Sequence, residues 1–308
     1  MNARRGTRNL GSTRTRTTLI WVAIVIVVLV VIDIALVTLA LGRTAPNSGD
    51  PAGPIPTFSS SPRSSTSSPT PTADAAGARR SLSAVDGQEA WRATDGTCGG
   101  PAPTLEHTLD AGATWKPVTL GTDVSSLMAI RASSANLTVL AGVGDDCTTT
   151  VRTSTDDGVT WTAGSPGAAG AGVSTAGIVF ATGVVEPPCS EPIEAYQGKS
   201  TSVVICDGQL EWRGGAGEWV DVPLSGVRSV ADAGMTYTLA RINTELCDGV
   251  QIESLPAVDV TPETSTTPIG CDADVATSEP LSLDRVDDHV WLWAGDTVSV
   301  SADGGATW

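Results

Sequence analysis

An eight-residue pattern, Ser/Thr-x-Asp-x-Gly-x-Thr-Trp, occurs three times in this chain of 308 residues. The copies run from Thr108 to Trp115, from Ser154 to Trp161 and from Ser301 to Trp308. Five positions are fixed in a chain with only nine Trp, so chance does not explain the matches, and such recurrence indicates a repeat architecture. Internal repetition therefore constrains the fold more than any other feature of the sequence.

Each octet has the chemistry of a tight hairpin. The Asp carboxylate can accept hydrogen bonds from backbone N–H groups just ahead, and Gly tolerates positive φ where the chain reverses. Thr then begins a new strand, and the Trp ring can fold back under the turn and bury a large apolar area. We expect a structural rather than a catalytic or metal-binding role for these residues: Thr108, Asp110, Gly112, Thr114, Trp115, Ser154, Asp156, Gly158, Thr160, Trp161, Ser301, Asp303, Gly305, Thr307 and Trp308.

The three octets resemble the Asp-box, or bacterial neuraminidase repeat, of sialidase-like proteins, and all three match that motif. The resemblance implies an all-β fold, namely a β-propeller. It also implies that the boxes lie on hairpins between the outer strands of the blades, away from the central funnel where ligands bind. The motif therefore predicts architecture and says little about activity.

The spacing of the octets predicts the number of blades. Asp110 and Asp156 are 46 residues apart, while Asp156 and Asp303 are 147 apart, about three further steps. Two intervening repeats would then lack a recognisable box, and the segment Arg213 to Trp219, which keeps a Gly-rich turn and a Trp, is one predicted remnant. Dividing residues 81–308 by this period predicts a propeller of about five blades.

The last octet raises the question of how the ring closes. The first two octets are followed by residues that can form a further strand, whereas Trp308 is the last residue of the sequence. An open propeller would leave an unpaired sheet edge exposed. We therefore expect the last blade to borrow its outer strand from the segment after Arg80.

The N-terminal residues predict a membrane anchor. Residues 1–18 contain five Arg and no acid, and residues 19–42 are apolar except for Asp33, Thr38 and the terminal Gly42. About twenty such residues span a bilayer, and the basic flank stays cytoplasmic by the positive-inside rule. We expect an uncleaved single-pass transmembrane helix; a cleaved signal peptide is the alternative. Asp33 either pairs with a partner helix or is tolerated in its protonated form.

Residues 43–80 are dominated by Pro, Ser, Thr and Ala. Such a composition cannot bury enough apolar surface to order itself, so we expect a disordered stalk, which in extended form would reach on the order of 100 Å. Residues 81–308 would then form the extracytoplasmic domain. The chain carries a net charge of −16, and 31 of its 34 acidic residues follow Arg80. This acidity argues against nucleic acid as a partner, because nucleic acid requires basic patches.

All six cysteines lie in the predicted extracytoplasmic domain, at Cys98, Cys147, Cys189, Cys206, Cys247 and Cys271. An even count outside the cytoplasm predicts three disulfides, for which sequence leaves fifteen pairings open. Cys98 and Cys147 stand at similar distances before the first two octets and could bridge adjacent blades, while the other four could close local loops. The spacings lack Cys-x-x-Cys, so no zinc site, and no cofactor of any kind, is predicted.

The residues that the sialidase resemblance would require for catalysis are not recognisable. The sequence has no Phe-Arg-Ile-Pro motif, and Tyr196 and Tyr237 are its only tyrosines. Glu194 lies near Tyr196, but this segment is typical of a loop flanked by a disulfide. The acidic clusters are typical of solvated loops or weak cation sites, and they comprise Asp145 with Asp146, Asp272 with Asp274, and Asp284 with Asp287 and Asp288.

The sequence thus predicts a membrane-anchored propeller that acts as a non-enzymatic binding or scaffold module, without catalytic residues. The ligand is a protein or a glycan, and the sequence assigns neither it nor the oligomeric state. A weaker relation to the propeller-shaped photosystem II assembly factors implies a protein ligand. The alternative is a divergent sialidase-like glycoside hydrolase that uses a carboxylate pair, since two carboxylates at a suitable separation are enough for that reaction.

Overall fold

A computed structural model of the protein describes residues 79–206, 208–278 and 280–308. None of these residues is helical, and no helix in these ranges is long and apolar enough to span a membrane. The predicted transmembrane helix at 19–42 and nearly all of the predicted stalk lie outside the described residues. The described chain confirms the predicted all-β class.

The strands form six antiparallel sheets, each built from strands consecutive in sequence, which are the six blades of a β-propeller. Blades 1 and 2 have four strands each: β1 Arg80–Ala84, β2 Ala90–Thr94, β3 Thr104–Thr108 and β4 Lys116–Pro117, then β5 Val124–Ser133, β6 Asn136–Val143, β7 Thr148–Ser154 and β8 Thr162–Ala163. Blade 3 has three short strands: β9 Gly172–Ser174, β10 Gly177–Phe180 and β11 Gly183–Val185.

The second half of the ring repeats this plan. Blades 4 and 5 have four strands each: β12 Pro192–Gln197, β13 Thr201–Cys206, β14 Gln209–Gly214 and β15 Val220–Val222, then β16 Val227–Asp232, β17 Thr236–Arg241, β18 Val250–Pro256 and β19 Thr267–Asp272. Blade 6 has three described strands: β20 Leu281–Val286, β21 His289–Ala294 and β22 Thr297–Ser301.

The prediction of five blades is therefore wrong. The octets lie on blades 1, 2 and 6, and the segment Arg213 to Trp219 forms the turn between β14 and β15 of blade 4. Three blades, not two, occupy the interval between the second and third octets. Blade 3 has strands of only three or four residues and no octet, so the average repeat length conceals it.

The six interfaces between neighbouring blades each bury an apolar cluster. The cluster between blades 4 and 5 includes Val203, Leu239 and Leu255, and the cluster between blades 6 and 1 includes Leu82 and Trp291. The other four clusters join blades 5 and 6, 1 and 2, 3 and 4, and 2 and 3. The described residues therefore form a ring in which every blade packs on both neighbours.

The ring closes differently from the prediction that blade 6 borrows a strand from the segment after Arg80. Residues Arg80–Ala84 form the first strand of blade 1, where Leu82 pairs with Arg92 of β2. Blade 6 keeps three strands in the part of the chain that is described. The expected outer strand is thus not supplied by this segment, because its backbone is already paired within blade 1.

Within the described residues, side chains rather than a shared strand join blade 6 to blade 1. The guanidinium of Arg80 donates to the carbonyls of Pro280 at 2.9 Å and Gly295 at 2.6 Å. The indole N–H of Trp291 donates to the Asp86 carbonyl at 2.8 Å. The ring of Trp293 lies between the guanidinium groups of Arg80 and Arg92, at 4.6 and 4.9 Å from its centroid, which adds cation–π attraction.

A substitution at Trp291 tests this closure, because its side chain is fully buried between blades 6 and 1. We expect Trp291→Ala to lower the free energy of unfolding by about 3 to 5 kcal/mol, the usual loss for a large buried aromatic side chain. Chemical denaturation of the full chain in detergent, followed by circular dichroism, measures this change. The matched control is Val159→Ala on a side chain that is 79% exposed, for which we expect a change within about 0.5 kcal/mol. Equal stability of both variants would show that this interface does not hold the ring.

Candidate functional site

The first strands of the blades surround a central channel. The cavity has a volume of about 1020 Å³ and is lined by β1, β5, β9, β12, β16 and β20 together with neighbouring loops. Much of its wall consists of Ser, Ala and Gly, which keeps it open. The larger polar side chains in it are Arg79, Arg80, Arg131, Glu194, Tyr196, Gln197, Lys199, Asp232, Asp284, Arg285 and Asp287.

Side chains on the first strands connect four of the six pairs of neighbouring blades. In each pair, an oxygen on one first strand accepts a hydrogen bond from a backbone N–H on the following first strand. We call these contacts the inter-blade clamps. They join Glu194 to Val230 N at 3.1 Å, Ser229 to Leu283 N at 2.9 Å, Asp284 to Ala84 N at 2.8 Å, and Ser83 to Ala132 N at 2.9 Å.

The pKa values of the two clamp carboxyls, Glu194 and Asp284, are raised above their ordinary values. Burial raises the pKa of Glu194 to about 7. Hydrogen bonds from Ser229 and from the Val230 backbone act in the opposite direction and limit this rise. Burial likewise raises the pKa of Asp284 to about 6, opposed by backbone N–H groups of Ala84 and Arg285. The negative charge of Asp284 contributes to the raised pKa of Glu194. Both groups therefore change protonation near neutral pH.

Tyr196, one of the two tyrosines available as the nucleophile of a sialidase-like reaction, lies in the channel wall. Its hydroxyl donates to the carboxylate of Asp232 on the next blade, and its ring meets that of Tyr237 edge to face at 5.6 Å. Burial, followed by the acceptor Asp232, raises the pKa of Tyr196 far above its ordinary value. The hydroxyl is thus held protonated, which is the opposite of what an activated nucleophile needs.

Two cationic side chains in the channel are available to a ligand. Arg131 and Lys199 are both exposed, and in the described ranges neither has an ion-pair or hydrogen-bond partner. Arg285 is committed, since it donates to the Asp287 carbonyl at 2.9 Å and to the Thr238 hydroxyl at 3.1 Å. Sequence reasoning assigned none of Arg131, Lys199 and Asp232 to a ligand site. Their one signal is a position near the end of a blade's first strand, which is recognisable only once the six blades are known.

The acidic clusters of the sequence are dispersed by the fold. Asp145 and Asp146 lie in the exposed turn between β6 and β7. Asp272 is buried at the end of β19, whereas Asp274 is exposed in the loop beyond it. Asp284 alone of its cluster is a clamp, with Asp287 and Asp288 in the following turn. Across the residues that the structure describes, no group of three or more His, Cys, Asp or Glu could hold a metal ion.

The octets form compact turns after the third strands of blades 1, 2 and 6. In the octet of blade 2, Asp156 accepts hydrogen bonds from Thr160 N at 2.8 Å and from the Thr160 hydroxyl at 2.6 Å. The Ser154 hydroxyl donates to Asp156 at 2.8 Å and accepts from Gly158 N at 2.8 Å. Gly158 has φ of 81°, the left-handed conformation that favours Gly.

The other two octets repeat these bonds. Asp110 accepts from Thr114, and Asp303 accepts from Thr307, in both cases through backbone and hydroxyl groups. These bonds, first of all those from the Thr hydroxyls, lower the pKa of Asp110 and of Asp303 to about 2. No residue of the three octets lines the channel. Their chemistry therefore serves the turns.

The prediction of three disulfides is confirmed. They join Cys98 to Cys147, Cys189 to Cys206, and Cys247 to Cys271. The first bridges blades 1 and 2, through the loop after β2 and the loop after β6. Within each blade that holds a cysteine, the cysteine lies at the end opposite the turn between the third and fourth strands. Disulfides and octet turns therefore secure opposite ends of the blades.

No protein-family model matches this chain, and no curated protein matches it. Among solved β-propeller structures, the chain is similar to the GH74 enzyme of Niastella koreensis, with 13% identity, a TM-score of 0.42 and coverage of 74% of this chain and 45% of that one. A GH43 protein from Bacillus licheniformis shares 11% identity, with a TM-score of 0.36 and coverage of 70% and 47%. The sialidase Hz136 of the Hadza microbiota shares 12%, with a TM-score of 0.36 and coverage of 69% and 49%.

The chain thus spans about half the length of these structures. At such low identity the likeness concerns the fold alone. It transfers no ligand, substrate or activity to this chain.

The octet aspartates predict an acid-sensitive contribution to stability. The pKa values of all three are lowered in the folded state, to about 2 for Asp110 and Asp303, so this contribution is present above the ordinary pKa of 3.8 and is lost as the pH falls through the lowered values. We expect the triple variant Asp110→Asn, Asp156→Asn and Asp303→Asn to be less stable at pH 5 and to lose less stability between pH 4 and 2. Urea midpoints measured across this range test it. The exposed turn variant Asp145→Asn is the control, and an acid response equal to the wild type's in the triple variant would contradict the assignment.

For the clamp carboxyl Glu194, the pKa shift predicts the opposite dependence of stability on pH. Its pKa is raised in the folded state, so its contribution is full below the ordinary value of 4.5 and is lost as the pH rises through about 7. Glu194→Gln keeps an acceptor for Val230 N but cannot ionise. We expect it to remove a loss on the order of 1 to 2 kcal/mol between pH 5 and 8, measured by denaturation. The exposed Glu218→Gln should leave this pH response unchanged, and an unchanged response in Glu194→Gln would refute the raised pKa.

Proposed function

We propose that this protein is a membrane-anchored, extracytoplasmic β-propeller that binds a protein or glycan ligand in its central channel without chemical turnover. The membrane part of the proposal rests on the apolar residues 19–42 and their basic flank. The three disulfides support the location, because such bonds form and persist in oxidising compartments.

The observation that carries the proposal is that three of the four described carboxyls that line the channel, all except the exposed Asp287, are committed to the fold. Glu194 and Asp284 accept backbone hydrogen bonds from the next blade, and Asp232 accepts from Tyr196. A catalytic acid or base must instead reach the substrate. The charged groups left for a ligand are the exposed cations Arg131 and Lys199 and the exposed carboxylate of Asp287, in a cavity large enough for a peptide segment or a short oligosaccharide.

A glycoside hydrolase is the second candidate, and the raised pKa values of Glu194 and Asp284 favour it. A carboxylic acid that stays protonated near neutral pH can act as a general acid, and a second carboxylate can act as base or nucleophile. Both groups line the same channel, and their charges interact. In this reading, the two clamps would also perform the chemistry.

Binding and turnover assays on the same variants distinguish the binding module from the glycoside hydrolase. The full chain in detergent is applied to a glycan array and a peptide array, and in parallel to a panel of fluorogenic glycosides. We expect binding without turnover. We also expect a loss of at least about tenfold in affinity in the double variant Arg131→Ala and Lys199→Ala, since two charged contacts are removed. Lys116→Ala, on an exposed side chain of β4 outside the channel, is the control.

Glycoside turnover that disappears in both Glu194→Gln and Asp284→Asn, while circular dichroism stays unchanged, would replace the binding proposal with the hydrolase. Binding that is unaffected by the Arg131 and Lys199 variant would place the ligand outside the channel.

A further inference from the structure

A second cavity, which we call the side cleft, lies between blades 2 and 3. It has a volume of about 500 Å³. Its walls include Thr149 and Val151 of β7 and Gly164 beyond β8 on one side, and Thr182 and Gly183 at the turn between β10 and β11 on the other. None of the described residues that line the side cleft is charged.

The side cleft exists because blade 3 is the smallest blade. Its three strands have only three or four residues each. The chain between Val185 and Pro192 belongs to the described ranges and forms no strand, so blade 3 has no fourth strand. Blades 2 and 3 meet in a cluster of four buried residues, two of which are Ala. A blade with longer strands would fill this space, and blade 3 does not.

The side cleft adjoins the central channel. Four residues line both cavities, and three of them are Gly or Ala: Pro166, Gly167, Gly170 and Ala181. Ala181 is held in place by blade 4, because the side-chain oxygen of Gln197 accepts a hydrogen bond from Ala181 N at 2.8 Å. With so little side-chain bulk at this boundary, a ligand in the channel can continue into the side cleft.

The guanidinium of Arg131 lies at the boundary between the two cavities. A Cβ on Gly170 would lie 3.4 Å from Nη2 of Arg131, so the guanidinium is directly beside this glycine. Gly170 has φ of 88°, the left-handed conformation that favours Gly. Because the side cleft supplies no charge of its own, Arg131 sets the charge preference at the boundary. A carboxylate is the group that an Arg guanidinium binds in a bidentate manner.

We propose that the side cleft holds the continuation of a ligand bound in the channel, and that this ligand is an extended peptide segment of a partner protein with a carboxylate at Arg131. This inference rests on the proposed function and names the ligand class for that site. The small side chains that line the cleft leave room for a peptide backbone, and its Thr hydroxyls and backbone groups can hydrogen-bond to peptide amides.

A glycan fits the side cleft less well than a peptide. Sugar rings commonly pack their C–H faces on exposed aromatic rings. Phe180 is the one aromatic residue among the described residues that line the cleft, and it is 4% exposed. Its ring already faces the guanidinium of Arg213 at 5.0 Å from the ring centroid. The cleft therefore offers a sugar no aromatic platform.

The peptide that binds most tightly in the peptide array tests the proposal, with its affinity for the full chain in detergent measured by fluorescence polarisation. Thr182 is exposed and lines the side cleft but not the channel. We expect Thr182→Trp to fill the cleft and weaken binding at least about tenfold, because the peptide loses its contacts there. The matched control is Thr175→Trp in the exposed turn between β9 and β10 of the same blade. Thr175 lines neither cavity, so this variant should bind as the wild type does.

The carboxylate is tested by changing the peptide. Each Asp or Glu of the peptide is replaced by Asn or Gln, and a separate peptide carries an amidated C-terminus, which distinguishes a side-chain carboxylate from a terminal one. One of these changes should weaken binding to the wild type at least about tenfold and have little effect on binding to Arg131→Gln, as two groups in contact behave. Equal losses in both proteins for every change would overturn the contact with Arg131.

A measurement without any protein variant keeps the test decisive if Thr182→Trp disturbs folding. The peptide is synthesised with photo-leucine on either side of the carboxylate, and crosslinks are mapped by mass spectrometry. We expect crosslinks to the walls of the side cleft, around Thr149 or Thr182. Crosslinks confined to the channel would overturn the side cleft as a binding site.

The outcomes separate this inference from the proposed function. Normal peptide binding by Thr182→Trp, together with a loss in the double variant Arg131→Ala and Lys199→Ala, would overturn the side cleft and leave the channel as the site. Glycan binding without peptide binding would overturn the peptide ligand and leave the binding module. Absence of any binding would overturn both.

Discussion

The inter-blade clamps follow from a constraint that every propeller of this kind meets at its axis. The first strands of neighbouring blades lie side by side in the channel wall but belong to different sheets, so backbone N–H groups that face the next blade find no partner in a ladder. A buried N–H without an acceptor is costly, and a side chain of the preceding blade satisfies it here. Glu194, Ser229, Asp284 and Ser83 each supply such an oxygen. Of these four clamps, the bond from Ala84 N to Asp284 joins the last blade to the first, beside the bonds of Arg80 and Trp291.

Away from the axis, different chemistry secures the two ends of the blades. At one end, the octets close the turn after the third strand, with an Asp that accepts from the N–H and hydroxyl of a Thr four residues ahead. At the other end, disulfides join loops and strand ends, as Cys98 and Cys147 do across blades 1 and 2. Between these ends the flanks of the blades are apolar, so the polar and covalent restraints lie where packing is weakest.

Local features of this fold could be predicted from the sequence, while features that depend on the closed ring could not. The octet turns are local, because Asp156 bonds only to residues within four positions, and their spacing indicated a propeller. Blade 3 escaped the count because it has no such turn. The closure through Arg80, Trp291 and Asp284 joins residues about 200 positions apart, for which no spacing rule exists. Arg131 and Lys199 escaped notice because a lone cation has meaning only beside the cavity that it faces.

The clamps also bear on chemistry in the channel. In many enzymes a raised carboxyl pKa marks a group adjusted for proton transfer. Here the same shift has a structural origin, because Glu194 and Asp284 must be buried in order to reach the N–H groups of the next blade, and burial disfavours their charge. Glu194 bonds to Val230 N and Ser229, and Asp284 to backbone N–H groups of Ala84 and Arg285, so each carboxyl also joins two neighbouring blades. A proton transferred to a substrate would have to come from a group that simultaneously holds two blades together, and this conflict supports a channel that binds rather than one that reacts.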